Sequence, residues 1–275
     1  MLLEPQTTEW DLRWRMFGIP VRVHPMFWLA SLLMGQQALQ QGAIYLVGWV
    51  ACVFVSILIH ELGHVMMGMI YGTSGQIVLY AFGGLAIGSN QIRNRWQRIA
   101  VSLAGPGAGF VFLIAILGIL WLRSSEDGAA YVAVAARQLG FGYPENIELL
   151  GHIRTIIRER PLEFAIVSDL IFINLFWGLV NLLPIWPLDG GHVCRELCEA
   201  ASRGRGIVVS LQISIVASGI VALCALLDKM DRPILPFPFG GWFTIIFFGA
   251  FAWQSYEELK RAQGESRWQD DHWDR

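Results

Sequence analysis

The chain has 275 residues, of which 55% are hydrophobic and 15% are charged, and its formal net charge is -2. A soluble domain carries about 25% charged residues, so the composition argues against one. The mean hydropathy of +0.48 instead favours a single polytopic membrane domain in the lipid bilayer. No basic excess points to nucleic acid, so no nucleic-acid partner is expected.

Six stretches of the chain are apolar enough to be interpreted as membrane spans. A helix that crosses the hydrocarbon core needs roughly 20 apolar residues. In chain order, the predicted spans cover residues 23–34, 43–70, 98–122, 163–183, 206–227 and 242–256. The first is short, so we expect it to tilt or to enter the bilayer only partly. The fold class predicted is therefore an all-α polytopic membrane protein.

Arginine and lysine residues flank alternate ends of these spans. Cytoplasmic loops of membrane proteins carry an excess of both residues. The basic groups on one side are Arg13, Arg15, Arg22, Arg93, Arg95, Arg98, Arg195, Arg203, Arg205, Lys260, Arg261 and Arg267. We therefore expect a multi-pass protein of the cell membrane, with a cytoplasmic N-terminal segment (1–22), a membrane-embedded core (23–256) and a cytoplasmic tail (257–275). The longest connection, 123–162, is expected to hold a short helix or two.

The second predicted span contains the sequence His60-Glu61-Leu62-Gly63-His64. Residues i and i+4 of a helix share one face, so both imidazoles can bind one ion. Glu61 can then reach a water at that ion and act as a general base, as in zinc peptidases. A charged group at mid-bilayer costs roughly 2.5–3.5 kcal/mol, which disfavours these side chains in an apolar helix unless they coordinate something. The motif predicts one Zn²⁺ per chain; a polar network that only joins helices is the alternative.

A catalytic zinc site takes three protein ligands and keeps one open position. The best candidate for the third ligand is Asp189, which follows the fourth predicted span. Pro184 and Pro187 should end that helix, and Gly190-Gly191 should make a tight turn that lets the carboxylate point back into the bundle. Asp189 could instead cap a helix that begins near Gly191, and His192 could be the ligand. Because the second and fourth spans run in the same direction, the site is expected toward the cytoplasmic side.

Together these motifs resemble the site-2 protease family of intramembrane zinc metalloproteases. The resemblance rests on three segments: His60 to His64, Asn181-Leu182-Leu183-Pro184 leading to Pro187-Leu188-Asp189-Gly190-Gly191, and Ser102-Leu103-Ala104-Gly105-Pro106-Gly107. It implies regulated hydrolysis of peptide bonds in or near transmembrane segments of membrane-protein substrates. It also implies that Asn181 helps to hold the substrate carbonyl or its oxyanion, although an interhelical hydrogen bond is the alternative role. Many members carry PDZ or CBS domains, for which this chain is too short, so we expect a minimal core.

A short β-hairpin is predicted in residues 76–88, directly after the metal-binding helix. Two β-favouring arms surround Gly83-Gly84, which is a hairpin signal. An exposed strand edge there could pair with an unwound substrate segment, because a peptide bond must leave its helix before it can be cut. An ordinary loop packed against the bundle is the alternative.

Two other functions compete with this interpretation. Membrane zinc peptidases that trim prenylated C-termini share the His60–His64 spacing but take a glutamate as third ligand. A metal-binding scaffold or a metal transporter would need no hydrolysis. A second metal site at Cys194, Cys198 and His192 is disfavoured, because the spacing fits no common zinc module. The sequence leaves the oligomeric state and the substrate open.

Overall fold

The computed structural model describes residues 5–81, 83–89, 91–142, 145–202, 204–230 and 241–273. By their internal contacts these residues form an N-terminal unit (5–179) and a C-terminal unit (180–273). Helices predominate in both. The described helices are α1 (Pro25–Met34), α2 (Gln36–Gln41), α3 (Ala43–Ile70), α4 (Arg95–Arg123), α5 (Ser125–Gln138), α6 (Ile147–Glu159), α7 (Pro161–Asn181), α8 (Asp189–Ala201), α9 (Gly206–Lys229) and α10 (Trp242–Trp273).

Four of the described helices are long and apolar enough to cross a membrane: α3, α4, α7 and α9. The first predicted span corresponds to α1, whose 10 residues fall short of the roughly 20 that a crossing needs. The sixth corresponds to the start of α10, where the apolar stretch is soon followed by Glu257 and Glu258. The predicted count of six spans is therefore not confirmed. The fold is a helical membrane protein with four candidate spans and a small mixed sheet.

Four strands form one sheet in the order β1 (Leu12–Met16), β2 (Ile19–Val23), β3 (Gln76–Tyr80) and β4 (Gly83–Ile87). The pairs β1–β2 and β3–β4 are antiparallel hairpins, whereas β2 and β3 run parallel. Helices α1 to α3 lie in the connection between β2 and β3. The sheet therefore joins the chain before α1 to the chain after α3.

The predicted hairpin in residues 76–88 is confirmed, with one correction. Gly83 and Gly84 are the first two residues of β4 and do not form the turn, because Gly83 already pairs with Tyr80. The hairpin β1–β2 lies almost wholly in the predicted cytoplasmic segment 1–22, with only Val23 beyond it, and was not expected. Its signal was the alternation of Leu12, Trp14 and Met16 with arginines, which we interpreted only as a basic flank.

One hydrophobic core lies between the sheet and the helices α1 and α3. One face of the sheet contributes Val21, Val23, Ile77 and Leu79, none of which is more than 2% exposed. From the helices, the core takes Phe27, Cys52, Val53, Ile57, Leu58 and Val65. Burial of an aliphatic side chain stabilises a fold by about 1.5–3 kcal/mol, so this contact fixes the sheet against the metal-binding helix.

A second core joins α4, α5, α6 and α7. Its most deeply buried members include Tyr131 of α5, Ile156 of α6 and Ile171 of α7. The segment 123–162 thus holds two helices, as the sequence predicted. Asn146 and Ser124 begin them by accepting hydrogen bonds from backbone N–H groups of the first turn.

A charged cluster ties the ends of these four helices together. The buried carboxylate of Asp127 accepts two hydrogen bonds from Arg160, at 2.8 and 2.9 Å, and one from Arg123 at 2.8 Å. His152 donates to it from Nε2 at 2.8 Å. The hydrogen bonds from Arg160 contribute most to holding the pKa of Asp127 well below its ordinary value, while burial opposes them. The stabilisation is therefore complete at neutral pH and is lost only as the pH falls below about 4.

We predict that Asp127→Asn destabilises the chain by about 2 kcal/mol, because it removes charge-assisted hydrogen bonds from a buried position. The apparent melting temperature in detergent should fall by about 4–8 °C. Glu159→Gln is the matched control, because the one ion pair of Glu159 among the described residues is with Arg158, and both side chains are exposed. Equal melting temperatures for the two variants would contradict a structural role for the cluster.

Candidate metal centre

The two histidines of the predicted motif lie on one buried face of α3. Their Nε2 atoms are 3.2 Å apart, and the ring centroids are 4.9 Å apart. Glu61 completes the group, since one ligand atom from each of the three residues lies within 4.8 Å of the others. His60, Glu61 and His64 are each at most 6% exposed. The predicted face of the helix is therefore present in the fold.

The neighbouring helix α4 orients His64. The carbonyl oxygen of Val101 lies 2.7 Å from Nδ1 of His64, and a carbonyl can only accept a hydrogen bond. Nδ1 must therefore carry the ring proton, which leaves the lone pair on Nε2 pointing toward His60. Backbone carbonyls commonly fix metal-binding imidazoles in this way. Sequence reasoning missed this partner, because a backbone acceptor leaves no signal in the residue type.

Gly105 of α4 leaves open the space in front of both imidazoles. A Cβ atom at this position would lie 2.2 Å from Nε2 of His64 and 2.8 Å from Nε2 of His60. Only a glycine can occupy this point of the helix without displacing the two rings. The segment Ser102 to Gly107 carries part of the family resemblance. Its Gly105 leaves the space in front of the imidazoles empty, and Val101, directly before the segment, contacts His64.

Strand β4 passes directly over the side chain of Glu61. A Cβ atom on Gly84 would lie 2.2 Å from Cγ and 2.4 Å from Oε1 of Glu61. The glycine that the sequence analysis assigned to a hairpin turn therefore has a different role, which is close approach of the strand backbone to the carboxylate. β4 is also an edge strand of the sheet.

The donor set fits a zinc ion. Two nitrogens bound to one zinc at about 2.0–2.1 Å with tetrahedral angles lie roughly 3.3–3.4 Å apart, close to the 3.2 Å between the Nε2 atoms. Imidazole nitrogens and a carboxylate are ligands that suit zinc. Two facing lone pairs in a buried site also repel each other unless a cation or a proton lies between them. His60 and His64 are thus able to hold the metal, with Glu61 beside it.

Asn174 has a structural role between two helices. It donates from Nδ2 to Oγ of Ser56 at 2.9 Å and to the carbonyl of Leu170 at 2.8 Å. Ser56 lies one turn before His60 on α3. Asn174 belongs to a π-helical segment of α7, Ile173–Trp177, a distortion that occurs often near functional sites. The bond therefore fixes α7 against the metal-binding helix.

Asn181 and Asp189 lie in the C-terminal unit. Asn181 is the last residue of α7 and is 7% exposed, and Asp189 is the first residue of α8. Leu188 precedes α8 without a side-chain cap, so Asp189 is not the N-cap of this helix. Its role as the third metal ligand stays a prediction.

The loop before α8 is held by a hydrogen bond to a serine side chain of α9. The N–H of Trp186 donates to Oγ of Ser214 at 2.8 Å, and Ser214 contacts Ser255 at 2.7 Å. A Cβ on Gly190 would lie 2.2 Å from the carbonyl oxygen of Leu182. Gly190 therefore lies inside the first turn of α8 and lets the loop pack closely, whereas the sequence analysis placed it in a tight turn.

The sequence of residues 48–226 matches Peptidase family M50. This match covers more than half of the chain. The chain belongs to peptidase family M50. Membership implies zinc as the cofactor, and the group formed by His60, Glu61 and His64 provides a place for it.

The chain is similar to several curated proteins, two of which are named zinc metalloproteases. The chain is 28% identical over 212 residues to a putative zinc metalloprotease of Synechocystis sp., covering 72% of this chain and 47% of the relative. It is 26% identical over 214 residues to a zinc metalloprotease of Methanocaldococcus jannaschii, covering 78% and 52%. It is 24% identical over 266 residues to stage IV sporulation protein FB of Bacillus subtilis, covering 93% and 75%. The chain thus spans about half the length of the first two relatives.

The fold is similar to a solved structure, the site-2 protease from Methanocaldococcus jannaschii. The TM-score is 0.52 at 22% sequence identity, and the likeness covers 91% of this chain and 95% of that chain. At this level of identity the comparison shows a shared fold. Together with the M50 match, it confirms the resemblance to site-2 proteases that the sequence motifs indicated.

We predict that Gly105→Ala lowers the zinc content of the purified chain well below that of the wild type, because the new methyl group displaces both imidazoles. Gly107→Ala is the matched control, since a Cβ there meets nothing within 4 Å. Alanine favours a helix by roughly 1 kcal/mol over glycine, so neither change should unfold α4. Zinc per chain, measured by mass spectrometry of the metal, separates the two. If Gly105→Ala held as much zinc per chain as the wild type, the metal would bind at a site other than His60 and His64.

Proposed function

We propose that this chain is an intramembrane zinc metalloprotease that hydrolyses peptide bonds in or near transmembrane segments of other membrane proteins. The observation that carries the proposal is the buried group of His60, Glu61 and His64 on a helix long enough to cross the bilayer. Three ionisable side chains in such a helix are costly unless they act on something. The names of the M50 relatives support a proteolytic role.

In this proposal His60, His64 and Asp189 hold the metal. When bound, zinc would polarise the peptide carbonyl and make water acidic enough to give up a proton near neutral pH. Glu61 accepts that proton as the water attacks, and then delivers it to the amine that leaves. The position of Glu61 under the backbone of Gly84 holds its carboxylate in one place during both transfers.

Asn181 is proposed to donate a hydrogen bond to the substrate oxygen as negative charge develops there. An amide N–H aimed at a developing oxyanion is a strong contributor to catalysis in a site from which bulk water is excluded. Its burial at the end of α7 supports a role in a site rather than at the lipid surface.

The edge strand β4 is the proposed docking place for the substrate. A helical substrate hides its peptide bonds in its own hydrogen bonds, so the segment to be cut must first become extended. An edge strand offers backbone N–H and C=O groups for pairing with such a segment. Because β4 passes over Glu61, a strand added beside it would lie close to the general base.

The proposed location is the cell membrane, with both termini in the cytoplasm and the site toward the cytoplasmic side. The distribution of arginine and lysine supports this orientation. His60 and His64 lie in the last half of α3, so in this orientation they are nearer the cytoplasmic end of the helix. Cleavage there would release the cytoplasmic part of a substrate.

We predict that Glu61→Gln abolishes cleavage, with a loss of at least about 10²-fold, because the amide cannot accept the proton. Zinc content should not change, since both imidazoles remain. Membrane proteomics of cells carrying the wild type or Glu61→Gln should reveal fragments that only the wild type makes. Glu148→Gln, on the exposed surface of α6, is the control for the loss of one carboxylate. If metal transport or scaffolding were the function, Glu61→Gln would leave it largely intact and produce no change in fragments.

We predict that Asp189→Asn weakens zinc binding by at least about tenfold, because a neutral amide is a much poorer ligand than a carboxylate. Glu199→Gln changes the same charge on the same helix and should retain zinc. Competition with a chelator of known affinity measures both. An unchanged zinc affinity in Asp189→Asn would remove Asp189 from the ligand set.

A further inference from the structure

The sheet has a second face, which the metal centre does not use and which is basic. Arg13 and Arg15 alternate with core residues along β1, so they share this face, and Arg13 lies directly opposite Arg22 of β2. Gln76 of β3 lies on the same side, two residues before the partner of Arg22. The face therefore presents three guanidinium groups, while the opposite face is packed in the core.

A groove of about 430 Å³ runs along this basic face. Its lining includes Arg13, Arg15, Arg22, Gln76 and Thr7, and it includes no acidic residue. The volume is within the range of small-ligand sites, and every polar side chain named here can donate a hydrogen bond. A lining of this kind is complementary to an anion.

Asp11 neutralises only part of the charge. Its side chain is fully buried and accepts hydrogen bonds from Arg22 at 3.1 Å, from Arg13 at 3.3 Å and from the hydroxyl of Thr8 at 2.7 Å. Burial raises the pKa of Asp11, but the bonds from Thr8, Arg22 and Arg13 together lower it well below its ordinary value. Asp11 therefore stays ionised and positions two of the guanidinium groups at the groove.

Arg15 is different, because no described residue forms an ion pair or a hydrogen bond with its side chain. It is exposed and lies across the strand from Pro20. Arg15 therefore has no ion-pair partner among the described residues, and it lies next to two cations that are already positioned. Its positive charge is available to a ligand. Guanidinium groups bind phosphate oxygens in a bidentate manner.

Both ends of the same hairpin expose large apolar side chains, Phe17 at the turn and Trp10 and Leu12 at the open end. Phe17 is 83% exposed, Trp10 is 81% exposed and Leu12 is 54% exposed. Phe17 also adopts a φ of 53°, in the left-handed region that is unfavourable for a bulky residue. An exposed aromatic residue held in a costly backbone conformation indicates contact with something other than water.

The groove lies close to the ends of two apolar helices. β2 leads through His24 directly into α1, and β3 begins six residues after α3 ends at Ile70. Basic residues next to exposed aromatic residues are typical of the membrane–water interface. In the proposed orientation this is the cytoplasmic leaflet, whose lipids carry negative charge.

We propose that the groove binds the phosphate headgroup of an anionic phospholipid, with Phe17, at the turn beside Arg15, in the adjacent apolar layer. Arg15 provides the unneutralised charge, and Arg13 and Gln76 provide further donors. This inference needs only that the chain is embedded in a membrane. Because it does not depend on zinc or on proteolysis, its failure would leave the proposed enzyme activity untouched.

The test uses the full chain, purified in a neutral detergent and stripped of lipid. Phosphatidylglycerol or phosphatidylcholine is then added in increasing amounts, and native mass spectrometry counts the lipid molecules bound to each chain. We expect the wild type to bind one phosphatidylglycerol with clear preference over phosphatidylcholine. Arg15→Gln should weaken this binding about fivefold, and adding Arg13→Gln should weaken it further, since one basic residue near a membrane surface contributes about this much.

The control Arg93→Gln with Arg205→Gln removes two exposed positive charges from the same predicted side of the membrane. It should leave phosphatidylglycerol binding unchanged. Phe17→Asn supplies a residue that tolerates the left-handed conformation before Gly18, so the melting temperature should stay equal or rise while lipid binding falls. A loss of lipid binding without a loss of melting temperature would show that Phe17 contacts lipid and is not needed for folding.

Three results would overturn the proposal. Equal binding of the two lipids by the wild type would remove the charge preference. Equal losses in the groove variants and in the control pair would indicate general surface electrostatics. Displacement of phosphatidylglycerol by millimolar inorganic phosphate would assign the groove to a soluble phosphate compound instead. Because the Arg15 side chain forms no hydrogen bond or ion pair with the described residues, Arg15→Gln should fold even where a double variant does not.

Discussion

The hydrogen bond from Nδ1 of His64 to the carbonyl of Val101 is the contact on which the metal centre depends. It places the lone pair of His64 opposite that of His60, at a separation that one zinc ion can bridge. Without a fixed acceptor, the ring of His64 would be free to turn about its χ2 bond. The packing of α4 on α3 therefore determines the chemistry of α3, and Gly105 makes that packing compatible with space for an ion.

Much of the site could be predicted, because its residues obey short-range rules. The i, i+4 spacing of His60 and His64 defines one helix face in any α-helix, and the hairpin after α3 has a recognisable arm pattern. The contributions of backbone atoms could not be predicted. Val101 acts through its carbonyl oxygen, and Gly84 and Gly105 act through the absence of a Cβ atom. Each effect depends on how α3, α4 and β4 pack together, and the local sequence does not show that packing.

The fold was predicted less completely than the site. Apolar length identified α3, α4, α7 and α9 as candidate spans, whereas the crossings predicted at α1 and α10 are not confirmed. A hydropathy pattern alone does not distinguish a crossing from a shorter apolar stretch. The hairpin β1–β2 was missed for a related reason. The polar positions of its alternating pattern are arginines on the exposed face of the sheet, and charge near a membrane span is usually interpreted as a topology signal.

The parallel pairing of β2 with β3 has a consequence for the order of assembly. β2 emerges during synthesis before α3, whereas β3 emerges after it, so the two strands can meet only once the whole metal-binding helix has been made. Long-range pairing of this kind is slow, because the intervening chain must first be brought together. The strand that covers Glu61, β4, pairs with β3, and β3 in turn pairs with β2. The pairing of β3 with β2 is thus a late step of folding. A newly made chain would therefore have His60 and His64 in the membrane before the strand over Glu61 is in place.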